Sequence, residues 1–394
     1  MSDFKILIVG AGLGGLCLAQ ALRKANVDVA VYERDATPWD RPQGYRLHLD
    51  SDGVNALRQS LPHELFSLIE ATSMVPLDYT TIIDTGLTVL RRMPSDDHGG
   101  TSSADHVNVN RATLRQILLA GLDEIVHFGA TLERYESDDD GVTAIFADGT
   151  RFRGDILVGA DGIRSAVRKQ RMPQARTMDT GVRAIYGRIP IERARQCLPQ
   201  QALDDVFTVA ADARKIFLGL GPVVFPTRPE LASPLLTPQE DYAVCIVGGR
   251  KEHFALDDAA LRRASSVELQ KLASKMLKDW PSPAAAVPAQ GDPASFFFVE
   301  MQTSVPCEIG SSSNVTLLGD AIHAMTPTLG RGANIALRDA ALLGRMLTLV
   351  SAGELDRLDA MRSYEDEMTR YGFGVVRQSA LMGQRLMGQN ALPG

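Results

Sequence analysis

The residues Gly10-Ala11-Gly12-Leu13-Gly14-Gly15 follow a β-branched run, Lys5 to Val9, and precede apolar residues at helical spacing, Leu16, Leu18, Ala19 and Leu22. A strand, a glycine turn and a helix start in that order form a phosphate cradle. Gly10 permits the tight turn, Gly12 lets a pyrophosphate reach the backbone, and Gly15 lets helix and strand pack closely. The free N–H groups at the helix start face the phosphates. Glu33 ends the next strand, Val27 to Glu33, close to the offset of about 20 residues at which an acid accepts from an adenosine ribose and repels a 2′-phosphate. Its place at a strand end puts it near the surface. These residues call for an adenine dinucleotide and leave FAD and NAD both open.

Two later motifs bear on that choice. Gly159-Ala-Asp161-Gly162-Ile-Arg164-Ser165 stands where a strand turns into a helix. Gly319-Asp320-Ala-Ile-His323 is followed by Pro327-Thr-Leu-Gly330-Arg331-Gly332-Ala333-Asn334 at the start of a long helix. Asp320, after a short buried strand, can accept from a ribityl hydroxyl, and the backbone of Gly330 and Gly332 would offer N–H donors and a positive dipole end. That suits the N1 and C2 carbonyl region of a reduced flavin, which carries negative charge.

The ordered set of glycine motif, Glu33-Arg34, Arg111-x-x-Leu114, Asp161-Gly162, Gly319-Asp320 and Pro327-x-x-Gly330-x-Gly332-x-Asn334 resembles the single-component FAD-dependent aromatic hydroxylases of the para-hydroxybenzoate hydroxylase fold. Within them the chain is most similar to the tetracycline-inactivating monooxygenases, in Tyr32-Glu33-Arg34-Asp35, Gly44 to Leu49, and Val109-Asn-Arg111-Ala-Thr-Leu-Arg115. The resemblance implies that Glu33 holds the adenosine ribose, Arg34 lies beside the adenine, and Arg111 meets the pyrophosphate or ribityl region. It implies Asp320 for the ribityl chain, Pro327 to Gly332 with Ala333 and Asn334 for the isoalloxazine, and Asp161-Gly162 for FAD and, indirectly, NAD(P)H. Arg41 matches a loop arginine near the flavin. His48 stands where those enzymes have an acid. The activity implied is insertion of one oxygen atom from O2 into an aromatic or polyketide-like substrate through a C4a-hydroperoxyflavin, with NADH or NADPH as transient donor and no obligatory catalytic side chain.

The elements that must position these residues form an α/β fold: a Rossmann-like FAD-binding domain, an inserted, mainly antiparallel substrate domain and C-terminal helices. The expected parts are FAD-binding segments at 1–72, 106–176 and 301–350, substrate-domain segments at 73–105 and 177–300, and terminal helices at 351–394. Arg41 to Gly44 reads as a loop, Tyr45 to Leu49 as a strand and Asp52 to Gln59 as a helix. Thr72 to Asp105 reads as strand fragments and a polar loop. Alternation puts Arg46 and His48 on one strand face, toward substrate or solvent. Strands are expected at Thr143–Phe146, Ile156–Gly159, Arg183–Ile189, Val206–Val209, Lys215–Leu220, Tyr242–Val247, Phe296–Val299 and Val315–Gly319. Pro281 to Pro293 reads as a connector, and helices are expected at Ala333–Val350, Leu355–Tyr371 and Gly374–Met387.

Composition narrows the classes further. Hydrophobic residues at 45% and charged residues at 23% suit a globular core, and a net charge of −7 argues against nucleic acid as partner. Cys17, Cys197, Cys245 and Cys307 make no Cys-x-x-Cys pair, so neither a structural metal nor a redox couple is indicated. The longest apolar stretch, Ile6 to Ala19, is short of the roughly 20 residues that span a bilayer, and the start lacks a basic leader, so the expectation is a cytoplasmic protein without a membrane partner. Oligomeric state is left open. His323 reads as a hydrogen-bonded structural residue, Cys17 as a buried small residue and Met361, Met368, Met382 and Met387 as packing. Arg183, Arg214 and Lys215 read as surface charge. Alternatives are a flavin-dependent dehydrogenase or oxidase and a non-enzymatic flavin or small-molecule binder. A flavin halogenase is less favoured, since Trp39 and Trp280 are the only tryptophans and that family's paired-tryptophan motif cannot exist here.

Overall fold

The computed structural model describes residues 4–40, 45–94 and 106–393. Arg41, the rest of the 41–44 loop and the polar loop from Ser95 to Asp105 lie outside the described residues. Five parallel strands form the first sheet, in the order Val315–Leu317, Ile156–Gly159, Lys5–Val9, Asp28–Glu33 and Val126–Phe128. Their side chains are nearly all buried, as parallel strands covered on both faces require. The glycine-led helix Leu13–Lys24 and the long helix Gly332–Ser351 cover one face, and Gly14 lets them touch: a Cβ there would stand 3.1 Å from the Ala336 carbonyl.

The second sheet has seven strands, ordered Phe297–Ser304, Thr177–Pro190, Tyr242–Arg250, Phe217–Val223, Asp205–Ala211, Leu77–Ile83 and Val89–Pro94. Every pairing is antiparallel except that of Asp205–Ala211 with Leu77–Ile83. One face carries Ile185, Ile189, Leu218, Leu220 and Val247, packed with Leu269, Ala273 and Trp280. The other carries Val182, Ala184, Tyr186, Val223, Tyr242, Val244 and Met301. A two-stranded ribbon, Arg46–Leu49 with Val107–Asn110, joins the two bodies. Asn108 Nδ2 donates to the Pro222 carbonyl (3.1 Å), and Asn110 Nδ2 donates to the Tyr242 hydroxyl (3.1 Å).

The architecture is of the expected α/β class, with three corrections. The terminal segment is one 31-residue helix, Arg357–Met387, not two. The expected gap between Tyr371 and Gly374 contains Gly372, where a Cβ would stand 2.5 Å from the buried His323 ring, so this glycine serves packing and the helix runs on. Arg183 is fully buried, not a surface charge: it donates to both oxygens of Asp179 (2.7 and 3.0 Å) and both of Asp258 (2.7 Å each). These bonds to Arg183, the largest effect, hold the Asp179 carboxyl well below the ordinary range. The Pro281–Pro293 stretch is not a bare connector, since it contains the helical turns Ser282–Ala285 and Pro288–Gln290 and buries Ala284 and Val287. Arg214 and Lys215 are exposed, as expected. Among the described residues no helix is long and apolar enough to cross a membrane, and no group of three or more His, Cys, Asp and Glu could hold a metal.

Candidate functional site

The carboxyl ends of the parallel strands collect the motif residues on one edge of the sheet, where open α/β sheets bind ligands. Gly10 follows Val9, Glu33 ends its strand, Ala160-Asp161 follow Gly159, and Leu318-Gly319-Asp320 follow Leu317. Gly10 has φ +110°, and a Cβ on it would lie 2.3 Å from the Ala160 carbonyl oxygen, so this turn admits only glycine. A Cβ on Gly15 would meet the Gly10 carbonyl at 2.1 Å. At Gly12 a Cβ would meet nothing within 4 Å; the space above that backbone is open.

Glu33 is 7% exposed, which corrects the expected surface position. Its carboxylate accepts from Ala11 N–H (2.7 Å) and Asp35 N–H (3.0 Å), tying the strand end to the glycine turn. Arg34 beside it is exposed. Arg115, which sequence reasoning left without a role, donates to the carbonyls of Ala11 (3.2 Å) and Pro38, bracing the same turn from behind. Nothing in the sequence marks it as buried.

Arg111 opens the helix Arg111–Leu119, whose N-cap Asn110 accepts from Ala112 and Thr113 N–H. An asparagine ahead of an amphipathic run is a readable cap signal. The Arg111 guanidinium lies 5.5 Å from the Tyr45 ring centroid, and its buried Nη1 has no protein partner. Arg111 lies within electrostatic reach of Asp320. That carboxylate is solvent-open yet ringed by protein, and desolvation raises its pKa against the opposing charges of His323 and Arg111.

Asp161 accepts from Ala166 (2.7 Å) and Val167 (3.3 Å) N–H through Oδ2, capping the following helix, while its buried Oδ1 has no protein partner. Gly162, at φ +74°, borders open space. Arg168 binds the two late motifs together by donating to the Ala321 (2.7 Å) and Ile163 (2.6 Å) carbonyls. His323 is buried and ion-paired to Asp339 (2.6 Å), whose same oxygen accepts from Gly319 N–H (2.9 Å). Burial lowers its basicity, but Asp339 outweighs this and the net shift is upward. It therefore holds the Gly319 turn, in keeping with the structural reading.

In the Pro327–Asn334 motif the backbone is open at Gly330, where φ is +65° and a Cβ would meet nothing within 4 Å; at Gly332 only Met325 comes near, at 4.0 Å. The side chains around it are engaged elsewhere. Arg331 binds Asp52 (2.6 Å), Tyr371 and Asp50 (2.9 Å). Asn334 donates to the carbonyls of His48 and Gly330 (3.0 Å each) and accepts from Asp50 N–H (3.0 Å). It clips the ribbon to the long helix. Ala333 is half-buried in the first turn.

Arg46 and His48 face the seven-stranded sheet rather than bulk solvent. Asn108 Oδ1 accepts from Arg46 Nη2 (2.6 Å) and lies 3.2 Å from His48 Nδ1. Burial, then Arg46, His106 and Arg331, push the His48 pKa down to about 3, against the Asn108 hydrogen bond. The folded protein thus holds His48 neutral, whereas the unfolded chain protonates it below about pH 6.5. Stability should fall as pH drops from about 6.5 toward 3, with a slope of up to about 1.4 kcal/mol per pH unit from this group. Urea unfolding at pH 7 and pH 5 should show His48→Gln losing less stability than the parent; equal losses would sink the assignment.

The residues present fit an extended flavin dinucleotide. Open space above Gly12 and the helix start at Leu13 suit a pyrophosphate, Arg111 Nη1 and Asp320 offer an unpartnered donor and an exposed acceptor, and the Gly330–Gly332 backbone leaves room for a planar ring. Residues 3–379 match the family model described as FAD binding domain. The chain belongs to this family. The dual O-methyltransferase/FAD-dependent monooxygenase elcB of Phaeosphaeria nodorum is 34% identical over 432 residues, covering 98% of this chain and 46% of that protein. This FAD binding domain chain spans about half the length of such relatives, 46 to 47%. A solved structure from Photorhabdus luminescens, provisionally named an FAD containing monooxygenase, superposes with a TM-score of 0.83 at 30% identity over 98% of each chain. Tetracycline destructase Tet(51) shares the fold alone, with a TM-score of 0.64 and 16% identity over 98% of this chain and 92% of its own.

Proposed function

We propose that this chain is an FAD-dependent monooxygenase that uses NADH or NADPH and O2 to insert one oxygen atom into an aromatic or polyketide-like small molecule. The observation that carries the reading is the collection of the glycine turn, Asp161-Gly162 and Gly319-Asp320 at the carboxyl edge of the parallel sheet, with Arg111 in electrostatic reach of Asp320. Bound FAD supplies hydride acceptance and activation of O2, chemistry that no protein side chain provides.

In this reading Gly10 to Gly15, including Leu13 and Gly14, cradle the pyrophosphate, and Glu33 and Arg34 receive the adenosine end. Asp320 accepts from the ribityl chain and Arg111 donates beside it. Asp161-Gly162 and Gly319 shape the cleft floor, and the backbone from Pro327 through Asn334 turns N–H groups toward the ring. Arg331 and Asn334 act by holding that backbone, since their side chains are bound to Asp50, Asp52, Tyr371 and the ribbon. Arg41 belongs to the same proposal from its resemblance.

The substrate side is the apolar face of the seven-stranded sheet. Tyr45, Tyr186 and Phe297 form an aromatic wall with centroids 5.5 to 5.8 Å apart, and Tyr45 also touches Arg111. Such a wall would exclude water and hold a planar substrate at the seam between the two bodies, a favoured place for ligand pockets. The segments 1–72, 106–176 and 301–350 would then serve the cofactor, 73–105 and 177–300 the substrate.

Turnover under isotope-labelled dioxygen decides the reading. Purified FAD-loaded protein with NADH or NADPH and a panel of phenolic and polycyclic compounds should yield product carrying one labelled oxygen. Label entering only from water, or a dehydrogenated product without added oxygen, would replace the reading with a dehydrogenase or oxidase. Flavin binding without NAD(P)H consumption would leave a sequestering protein.

A further inference from the structure

The residues on either side of Pro327 are held by polar groups of the long helix Arg357–Met387 and of the segment after it. Ser379 Oγ donates to the Thr326 carbonyl (2.7 Å), and Thr328 Oγ1 donates to the Ser379 carbonyl (2.8 Å). Thr326 Oγ1 donates to Gln389 Oε1 (2.8 Å). Thr326, Ser379 and Gln389 are all buried. Breaking such bonds would strand polar groups away from water, so the network fixes the backbone from Thr326 to Thr328 against the helix.

The helix is shaped for this contact. Gly383 lies inside it, where glycine is unfavourable, and a Cβ there would stand 2.1 Å from Gln389 Oε1. Gly388, at φ +65°, ends the helix in a left-handed turn, and Gln389 N–H returns to the Gly383 carbonyl (3.1 Å). The next residue reaches the seven-stranded sheet. Asn390 N–H donates to the Thr180 carbonyl (2.8 Å) and its Nδ2 to the Asp179 carbonyl (3.0 Å). Its Oδ1 accepts from Arg250 Nη1 (2.7 Å), which also donates to the Gly388 carbonyl (2.9 Å). The strand Thr177–Pro190 is irregular at this place: its register shifts between Asp179 and Arg183, and Gly181 takes φ +74°. A Cβ at Gly181 would stand 3.0 Å from Asn390 Nδ2. The buried Arg183, through both oxygens of Asp179, braces the same stretch.

We propose that Gln389 and Asn390 are positioning residues, which together strap the Pro327–Gly330 turn to the seven-stranded sheet and so fix the backbone offered to the isoalloxazine. The inference rests on the reading of this turn as part of the flavin seat. Two neighbours in the chain bind opposite bodies, Gln389 the turn and Asn390 the sheet, so the link between them is one peptide unit long. Asn334 holds the other end of the turn through the Gly330 carbonyl (3.0 Å). Supporting groups of this kind decide how exactly a site keeps its geometry, although they touch no ligand themselves.

The test reads backbone hydrogen exchange across residues 325–334 of the apoprotein and FAD affinity by titration into it. Thr326→Val keeps the side-chain shape and removes the donor to Gln389, Thr326→Ser keeps the hydroxyl, and Asn390→Ala removes side-chain bonds to the sheet alone. Thr326→Val and Asn390→Ala should each speed exchange in this segment and weaken FAD binding by about fivefold, the margin of one net hydrogen bond. Thr326→Ser should match the parent. Parental exchange and parental FAD affinity in either Thr326→Val or Asn390→Ala overturns the inference. Exchange that rises equally over the helix Arg357–Met387 and the sheet also overturns it, since stability and not position has then been lost. A Thr326→Ser protein that behaves as Thr326→Val does the same, because the hydroxyl is then not what acts. Failure of the flavin reading is separate: the parent itself would bind no FAD, and the exchange comparison would still decide whether the strap holds the turn.

Discussion

Glu33→Arg should abolish FAD retention and destabilise the fold together. Glu33 is almost fully buried and its carboxylate accepts from Ala11 and Asp35 N–H, so the change leaves two donors without this acceptor and puts a cation in the same space. Leaving a buried donor without its acceptor costs roughly 1 to 3 kcal/mol. Because Ala11 lies in the glycine turn, the damage falls first where a pyrophosphate would sit. Glu33→Gln keeps one acceptor and should retain the fold with weakened FAD binding. Denaturant midpoints and flavin content of the two variants give the answer. A Glu33→Arg protein with parental stability and FAD content would show that this carboxylate holds neither the turn nor the adenosine end.

Asp320→Ala should lower FAD affinity by about tenfold to a hundredfold, the equivalent of roughly 1.5 to 3 kcal/mol for a charge-assisted acceptor. The fold should survive, since Asp320 is exposed and its carboxylate accepts no hydrogen bond among the described residues. Loss of binding with unchanged thermal stability is therefore the expected signature. Titration of FAD into apoprotein, monitored by flavin fluorescence, reads the affinity. Unchanged affinity in a folded variant would remove Asp320 from the site.

Local sequence determined the parts of this protein that depend on near neighbours. The glycine turn from Gly10 to Gly15 needs a strand before it and a helix after it, and both are encoded within the adjoining residues. The strand Ile156–Gly159 was legible for the same reason: a short buried run is a local signal. The ordering of Asp161-Gly162, Gly319-Asp320 and the Pro327 motif carried the family resemblance, because strand ends in a parallel sheet must converge on one edge whatever lies between them.

Tertiary structure decided everything that depends on which surfaces meet. Gly372 reads as a helix breaker until the His323 ring is found against it, and Arg183 reads as surface charge until Asp179 and Asp258 close over it. Alternation could place Arg46 and His48 on one face of a strand but not say what that face meets. The sheet notch at Gly221 and the acceptor at Asn108 come from segments far away in the chain. Burial and charge compensation are properties of assembled surfaces, and a residue's type and spacing constrain them only weakly. Local backbone requirements therefore specified the glycine-rich edge of the parallel sheet, while the corner where the ribbon meets the seven-stranded sheet took its chemistry from long-range contacts.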